Sequence, residues 1–345
     1  MHLLVITRKI DHDDPRVGFV SAWANELKKS LKFLTIIAWQ ESRPEADWEN
    51  IRLISLPKNK ILKIFWFQYY LIKILPKVDG VFCHMNPEYT ILAAPSAKIF
   101  RKKIVSWYTH GTVSWRLKIM EKLTNQILTA SKASFRLRSR KLVVTGHGID
   151  LKTFYPIDSS KSLKEKIQLI SVGRISPTKD YETIIKAVNL LNDQGFNYLN
   201  LKIIGEIGLA EQQVYFNSLK TMTEKMNLGG KVEFLGAIKH VEIPDYLRKS
   251  DIFINLSGTG GLDKAVLEAM ACGCLVLTSN EAFREILPTE LIVGKNNPKM
   301  LSEKIKWLVG LSSDQLLKLR QQLQEEIIKN HNLTNLSLKI ISQFS

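Results

Sequence analysis

Arg174 and Lys179 stand five residues apart in the stretch SVGRISPTKDYETIIKAVNLL (171–191). Arg174 follows an apolar run that ends at Gly173, and Lys179 precedes an amphipathic one. A guanidinium offers a planar fork of donors and an ammonium a compact charge, a pairing that suits two linked phosphates. The same pair would stabilise charge building up on a departing diphosphate. Both would equally serve as solvated charges at a loop and helix start. A second stretch, SGTGGLDKAVLEAMACG (257–273), opens with little side chain and ends as a short apolar helix carrying Glu268. Glycines admit a ligand close to backbone N–H groups, and a helix starting near Leu262 or Asp263 would attract an anion. A carboxylate among Ala, Val, Leu and Met is costly to bury unless something completes its shell. The two hydroxyls of a ribose would do so, and so would a neighbouring lysine.

Such residues need strands to hold them. LLVIT (3–7), FLTIIAW (33–39), IRLISLP (51–57), VDGVFCH (78–84) and KKIVSWYTHG (102–111) are apolar runs separated by helical segments such as GFVSAWANELKKSL (18–31). That alternation predicts a doubly wound parallel α/β sheet. The polar, proline-bearing stretch GHGIDLKTFYPIDSSKSLKEK (146–166) interrupts it and marks a linker. A second series follows in KIQLISVGR (166–174), LNLKIIGE (199–206), VEFLGAI (232–238), DIFINLS (251–257) and CLVLTS (274–279). At 345 residues the chain exceeds one comfortable core. Two Rossmann-like domains are expected, 1–150 and 166–332, joined by a linker at 151–165. Ligands in such folds sit at the carboxyl ends of the strands, and a cleft between two sheets is the default site.

Composition narrows the setting. Hydrophobic content of 45% with 24% charge is ordinary for a globular protein. The N-terminus reads as a first strand rather than a signal peptide, and no apolar run is long enough for a transmembrane helix. Cys83, Cys272 and Cys274 have no metal-like spacing, so a reducing cytoplasm without structural disulfide or zinc is expected. The net charge of +16 is uneven: residues 1–152 hold 26 Lys and Arg against 12 Asp and Glu, the rest 23 against 21. A basic half facing something anionic fits nucleic acid, an acidic membrane or phosphorylated substrates, and a solvated basic surface explains it too. The run FRLRSRK (135–141) reads as a solvated or phosphate-facing surface and lacks the aromatic-basic pattern of RNA binders, so no nucleic-acid partner is expected. KNKILKIFWFQYYLIKILPK (58–77) surrounds an aromatic segment with lysines. Helical spacing places Ile61, Phe65, Leu71 or Ile72 and Leu75 on one side. A helix lying on an anionic bilayer and a core helix both fit that pattern.

Several ordered motifs carry a resemblance. VGRISPTKDYETIIKA, LKIIGE, VEFLGAI and LEAMACGCLVLTSN, in that order and spacing, resemble the donor domain of retaining GT-B glycosyltransferases, and more narrowly the group-1 (family 4) set. DHDDPRVGFVSAWANEL (11–27) sits where that family has its glycine-bearing acceptor loop, WYTHG (107–111) where it has a His–Gly motif, and TGHGID (145–150) resembles its linker entry. The resemblance implies two Rossmann-like doubly wound domains facing across a cleft, with a C-terminal helix (333–345) returning towards the first. It implies transfer from a UDP- or GDP-sugar, as co-substrate and with no metal or other cofactor, to a glycan or lipid-linked acceptor in envelope polysaccharide or glycolipid synthesis. The setting implied is cytoplasmic, peripheral on the inner face of the plasma membrane.

By the same resemblance Arg174 and Lys179 grip the diphosphate, and Glu268 matches the second glutamate of E-x7-E and holds the ribose diol. Gly173 and Gly205 lie close to the nucleotide, and Phe234, Leu235 and Gly236 line the base. His110 reaches the transferred sugar, and Gly18 lets the loop after the first strand approach it. The family's Glu-Gly-Phe-Gly run is here Gly260-Gly261-Leu262-Asp263, so the acid expected eight residues before Glu268 is absent. Asp263 is its nearest substitute, and Lys264 adds a cation the pattern does not require. A non-catalytic sugar-nucleotide binder or membrane-surface partner on the same fold is the competing expectation. No carboxylate pair of the kind used by double-displacement glycosidases is in evidence.

Overall fold

The computed structural model describes all residues except Arg16, Ala46, Asp47, 158–162, Lys164, Glu165 and Thr259. The chain divides into two compact units, Met1–Asp150 with His331–Ser345, and Leu151–Asn330. The first unit runs β1 (His2–Thr7), α1 (Phe19–Lys28), β2 (Phe33–Ala38), β3 (Ile51–Ser55), α2 (Lys60–Ile74), β4 (Gly80–His84), α3 (Pro87–Ile99), β5 (Lys103–Trp107), α4 (Trp115–Leu123), β6 (Gln126–Thr129) and β7 (Leu142–Val144). The second runs β8 (Ile167–Val172), α5 (Tyr181–Asp193), β9 (Leu199–Ile204), α6 (Ala210–Lys225), β10 (Val232–Gly236), α7 (Ile243–Arg248), β11 (Ile252–Asn255), α8 (Lys264–Ala271), β12 (Leu275–Thr278), α9 (Pro298–Val309) and α10 (Ser313–Asn330). The chain then returns to the first unit as α11 (Leu333–Ser342).

The first unit's sheet has the order β3-β2-β1-β4-β5-β6-β7, with every described pairing parallel. Crossovers between parallel strands generally carry helices to both faces of a sheet, and the central strands β1, β2 and β4 are accordingly buried along nearly their whole length. On one face Phe67, Leu71 and Ile74 of α2 and Tyr89, Ala93 and Ala97 of α3 join strand residues such as Ile6, Val81 and Ile104 in one core. α1 and α11 pack together. A Cβ at Gly148 would stand 2.7 Å from Leu336 and 3.1 Å from Trp23, so glycine there lets the two helices close over the backbone.

The structure departs from the sequence reading at five points. Strands β6 and β7, four and three residues long, are too short to show as apolar runs. Residues 331 and 332 belong with the first unit: the His147 N–H donates to His331 Nδ1 at 2.9 Å, and Ile149 bridges Asn332. The described residues of the expected linker, 151–157 and 163, cluster with the second unit, and the rest of 151–165 lie outside the described residues. In α2 the buried stripe is Phe67, Leu71 and Ile74, while Ile61 and Phe65 are exposed, so they share no face with Leu71. Lys141 is not a free surface charge: its ammonium donates to the Glu121 and Thr124 carbonyls at 2.6 and 2.9 Å, satisfying the end of α4.

The second unit's sheet runs β10-β9-β8-β11-β12, again with parallel pairings. Its carboxyl edge therefore gathers the residues that follow Val172, Ile204, Asn255 and Thr278. All three cysteines are buried as thiols, none in a disulfide.

Candidate functional site

At that edge the loops are tied to one another through their backbones. The Gly173 N–H donates to the Ile204 carbonyl and the Gly205 N–H to the Gly236 carbonyl, each at 2.9 Å. A Cβ on Gly205 would overlap the Gly173 carbonyl oxygen, so this close approach requires glycine. The Tyr181 hydroxyl donates to the Gly173 carbonyl at 2.8 Å. Burial, with the Asp263 charge adding to it, pushes the Tyr181 phenol well above its ordinary range and keeps it a donor. The stem of Lys179 runs over Gly173, where a Cβ would meet its Cε at 2.9 Å.

Lys179 ends in an ion pair. Its ammonium lies 2.5 Å from Asp263 Oδ2, which also accepts from Asn255 Nδ2 at 2.9 Å. Burial would raise the Asp263 pKa, but Lys179 and the donated hydrogen bonds outweigh it and hold the carboxylate below its ordinary value. Asp263 occupies the N-cap position of α8, which starts at Lys264 rather than at Leu262 or Asp263. The carboxylate expected to replace the missing glutamate is thus committed to Lys179 and Asn255. Gly260 has φ +67, a left-handed conformation that a glutamate adopts only under strain. The Gly261 carbonyl accepts from Asn280 Nδ2 at 2.7 Å, and Leu262 is buried. Thr259, within the expected glycine-rich turn, lies outside the described residues.

Glu268 is buried one turn into α8. Lys264 Nζ and His240 Nε2 both reach its Oε1, at 2.7 and 2.8 Å, while Oε2 has no hydrogen bond among the described residues. Burial alone would push the carboxyl up, but Lys264 and His240 bring it down to about 2. Phe154 closes this group, its ring 5.3 Å from that of His240 and 6.0 Å from the Lys264 ammonium. The acid on the apolar helix is therefore favoured as a carboxylate, with both of its partners among the described residues on Oε1.

The remaining expected residues are more dispersed. Arg174 is exposed and has no ion-pair partner among the described residues. Phe234 and Leu235 are half-buried on β10, where Phe234 meets Phe216 edge-on at 5.3 Å, and Gly236 has φ +72. In the first unit, His110 is exposed beyond β5, its Nδ1 accepting from the Thr112 N–H at 3.2 Å. Gly18 is the N-cap of α1 with an ordinary φ of −52. Outside the expected set, His84 is a buried strand-end residue bonded to the Thr7 hydroxyl at 3.1 Å. Four residues went unread in the sequence: Phe154, His240, Asn255 and Asn280. Only Asn255 left a signal, a polar residue closing the apolar strand IFIN. Among the described residues no three His, Cys, Asp or Glu side chains stand close enough to hold a metal ion.

The family model described as glycosyl transferases group 1 matches residues 156–330, half of the chain and nearly all of the second unit. The chain belongs to this family. Among relatives, this group-1 glycosyl transferase is 26% identical over 147 residues to the phosphatidylinositol N-acetylglucosaminyltransferase GPI3 subunit of Saccharomyces cerevisiae, a match covering 42% of the chain and 31% of that protein. The chain thus spans about a third of that relative's length. It is 25% identical over 238 residues to the capsular polysaccharide biosynthesis glycosyltransferase CapH of Staphylococcus aureus, covering 64% of this chain and 65% of that one. Among solved structures, Anabaena HepE in complex with UDP superposes with a TM-score of 0.81 over 99% of both chains at 15% identity, a likeness of fold. Two parallel α/β units of this kind give the group-1 glycosyl transferase the GT-B fold. No helix among its described residues is long and apolar enough to cross a membrane.

Proposed function

We propose that this chain transfers a sugar, with retention of anomeric configuration, from a UDP- or GDP-sugar to a glycan or lipid-linked acceptor in cell-envelope polysaccharide or glycolipid synthesis. The observation that carries the proposal is Glu268: buried, held as a carboxylate by Lys264 and His240 at Oε1, and matching by resemblance the second glutamate of E-x7-E. Its Oε2, unbonded among the described residues, suits a ribose hydroxyl. Family membership supports the reaction class, and the names of the yeast and staphylococcal relatives support lipid-linked or polysaccharide acceptors. The UDP bound to HepE supports a nucleotide donor.

In this mechanism Arg174 and Lys179 bind the diphosphate and neutralise the charge that grows on it as the glycosidic bond breaks, so no metal or other cofactor is needed. Lys179 exchanges Asp263 for phosphate as donor enters. Gly173, Gly205, Gly260 and Gly261 leave room for the nucleotide, and Phe234 and Leu235 line the base. Leu262 anchors the turn, and Lys264 keeps Glu268 ionised. In the first unit, His110 and the loop at Gly18 serve acceptor binding. The working location is the cytoplasmic side of the plasma membrane. Release of nucleoside diphosphate from a panel of UDP- and GDP-sugars, with lipid and sugar acceptors present, tests the proposal.

A second function is favoured by one observation, the left-handed Gly260 in place of the sugar-side acid. A chain that only binds sugar nucleotides would show heat on titration with a donor and no diphosphate release from any.

A further inference from the structure

Helices α2, α3 and α4 cover one face of the seven-stranded sheet, with α3 packed against both neighbours. α2 buries Phe67, Leu71 and Ile74, and turns the opposite side outward, where Ile61 is 80%, Phe65 63% and Ile72 57% exposed. α4 repeats the arrangement: Leu117 and Met120 are buried, while Trp115, 64% exposed, and Ile119 one turn later face out. Ile99, ending α3 between them, is 77% exposed. A helix layer over a sheet ordinarily turns polar residues to water. Here three adjacent helices turn out aromatic and branched aliphatic ones, and singly scattered exposure does not account for that.

The charge around them has one sign. Residues 58–77 hold five lysines and no acid. Lys98, Arg101, Lys102 and Lys103 follow at the end of α3, and Arg116, Lys118 and Lys122 lie on α4. The acids of α3 and α4 are engaged: Glu88 lies 3.3 Å from Arg116, and Glu121 accepts from the Ser139 hydroxyl at 2.8 Å. Lysine is depleted from the cores of protein interfaces, and a second copy would set one basic face against another. Anionic lipid headgroups complement this surface, because lysines stay at headgroup level while apolar side chains enter the acyl boundary.

We infer that the outward faces of α2, α3 and α4 form one docking surface for an anionic phospholipid bilayer, on which the chain lies without spanning it. This rests on the membrane-side location proposed above and names the surface that would hold the chain there, while vesicle binding is read separately from sugar transfer.

The experiment is co-sedimentation of the full chain with vesicles of phosphatidylcholine plus phosphatidylglycerol, compared with phosphatidylcholine alone, with no donor or acceptor present. The chain is expected to bind the mixed vesicles and to lose binding as salt rises. The pairs Ile61→Ser with Phe65→Ser, and Trp115→Ser with Ile119→Ser, are each expected to weaken partitioning by about tenfold or more, with unchanged melting temperature. Lys60→Glu with Lys73→Glu is expected to abolish the preference for phosphatidylglycerol. Equal binding to both vesicle types, or none, overturns the inference. So does an α4 pair that partitions like the unaltered chain, or a dimer broken by these substitutions while vesicles stay unbound. Because vesicle binding is the readout, such a failure leaves the glycosyl-transfer proposal standing.

Discussion

The Lys179 ammonium and the Asp263 carboxylate, 84 positions apart in the chain, meet at 2.5 Å over the carboxyl edge of the second sheet. The pair is largely buried, and Asn255 holds the acid from its other side. Lys179 is therefore neutralised where the proposed mechanism needs its charge, so a diphosphate must displace a carboxylate to take it.

Asp263→Asn removes that competitor while keeping the shape. Calorimetric titration with UDP and GDP is expected to show the cognate nucleotide binding several-fold more tightly, with kcat within about threefold of the unaltered chain. A kcat loss of about a hundredfold or more at unchanged affinity would mean that Asp263 acts on the sugar itself.

Arg174 is exposed and unpaired among the described residues, so its charge is available without rearrangement. Arg174→Ala is expected to leave the melting temperature unchanged and to lower kcat/KM for donor by about a hundredfold. Arg174→Lys should recover only part of that, because an ammonium lacks the planar fork. Full recovery by lysine would contradict a bidentate phosphate contact.

How much of this was legible depended on where each contact comes from. β1, β2 and β8 are buried parallel strands, and such strands read directly as apolar runs. β6 and β7 are too short to carry a period. Motif spacing singled out Arg174, Lys179 and Glu268, and the folded chain sets Lys179 against Asp263 and Glu268 against Lys264 and His240. His240 and Phe154 were not, since His240 lies 28 positions from Glu268 and only the folded chain brings them together. The exposed side of α2 was half legible: its pattern fitted both a core helix and one lying on a bilayer, and only packing decides which residues are covered.

Lys264 sets the charge of Glu268. The Glu268 pKa is depressed from 4.5 to about 2, so the stability it contributes is fully present above pH 4.5 and is lost as pH falls towards 2. In Lys264→Met, burial acts with less opposition and the pKa rises. The acid limb of donor binding should then move to higher pH, as read from KM for donor across a pH series. Identical acid limbs in both proteins would rule out a Glu268 carboxylate controlled by Lys264.

His84 adds a separate pH dependence in the first unit. Burial lowers its pKa from 6.5 to about 3, so the unfolded chain binds a proton there that the folded chain excludes. Stability is fully present above pH 6.5 and declines as pH falls towards 3. His84→Gln should flatten the fall in melting temperature between pH 7 and 5. A fall as steep in the variant would assign that slope to other groups.

The central claim is that Glu268 and the adjoining cations serve a sugar-nucleotide donor in catalysis. Nucleoside diphosphate release from the donor panel, for the unaltered chain and for Glu268→Ala, tests it most directly. The account predicts release from one UDP- or GDP-sugar, reduced by about a hundredfold or more in the variant, with the anomeric configuration of the product retained by NMR. Release that is equal in the two proteins, or a product of inverted configuration, would contradict it.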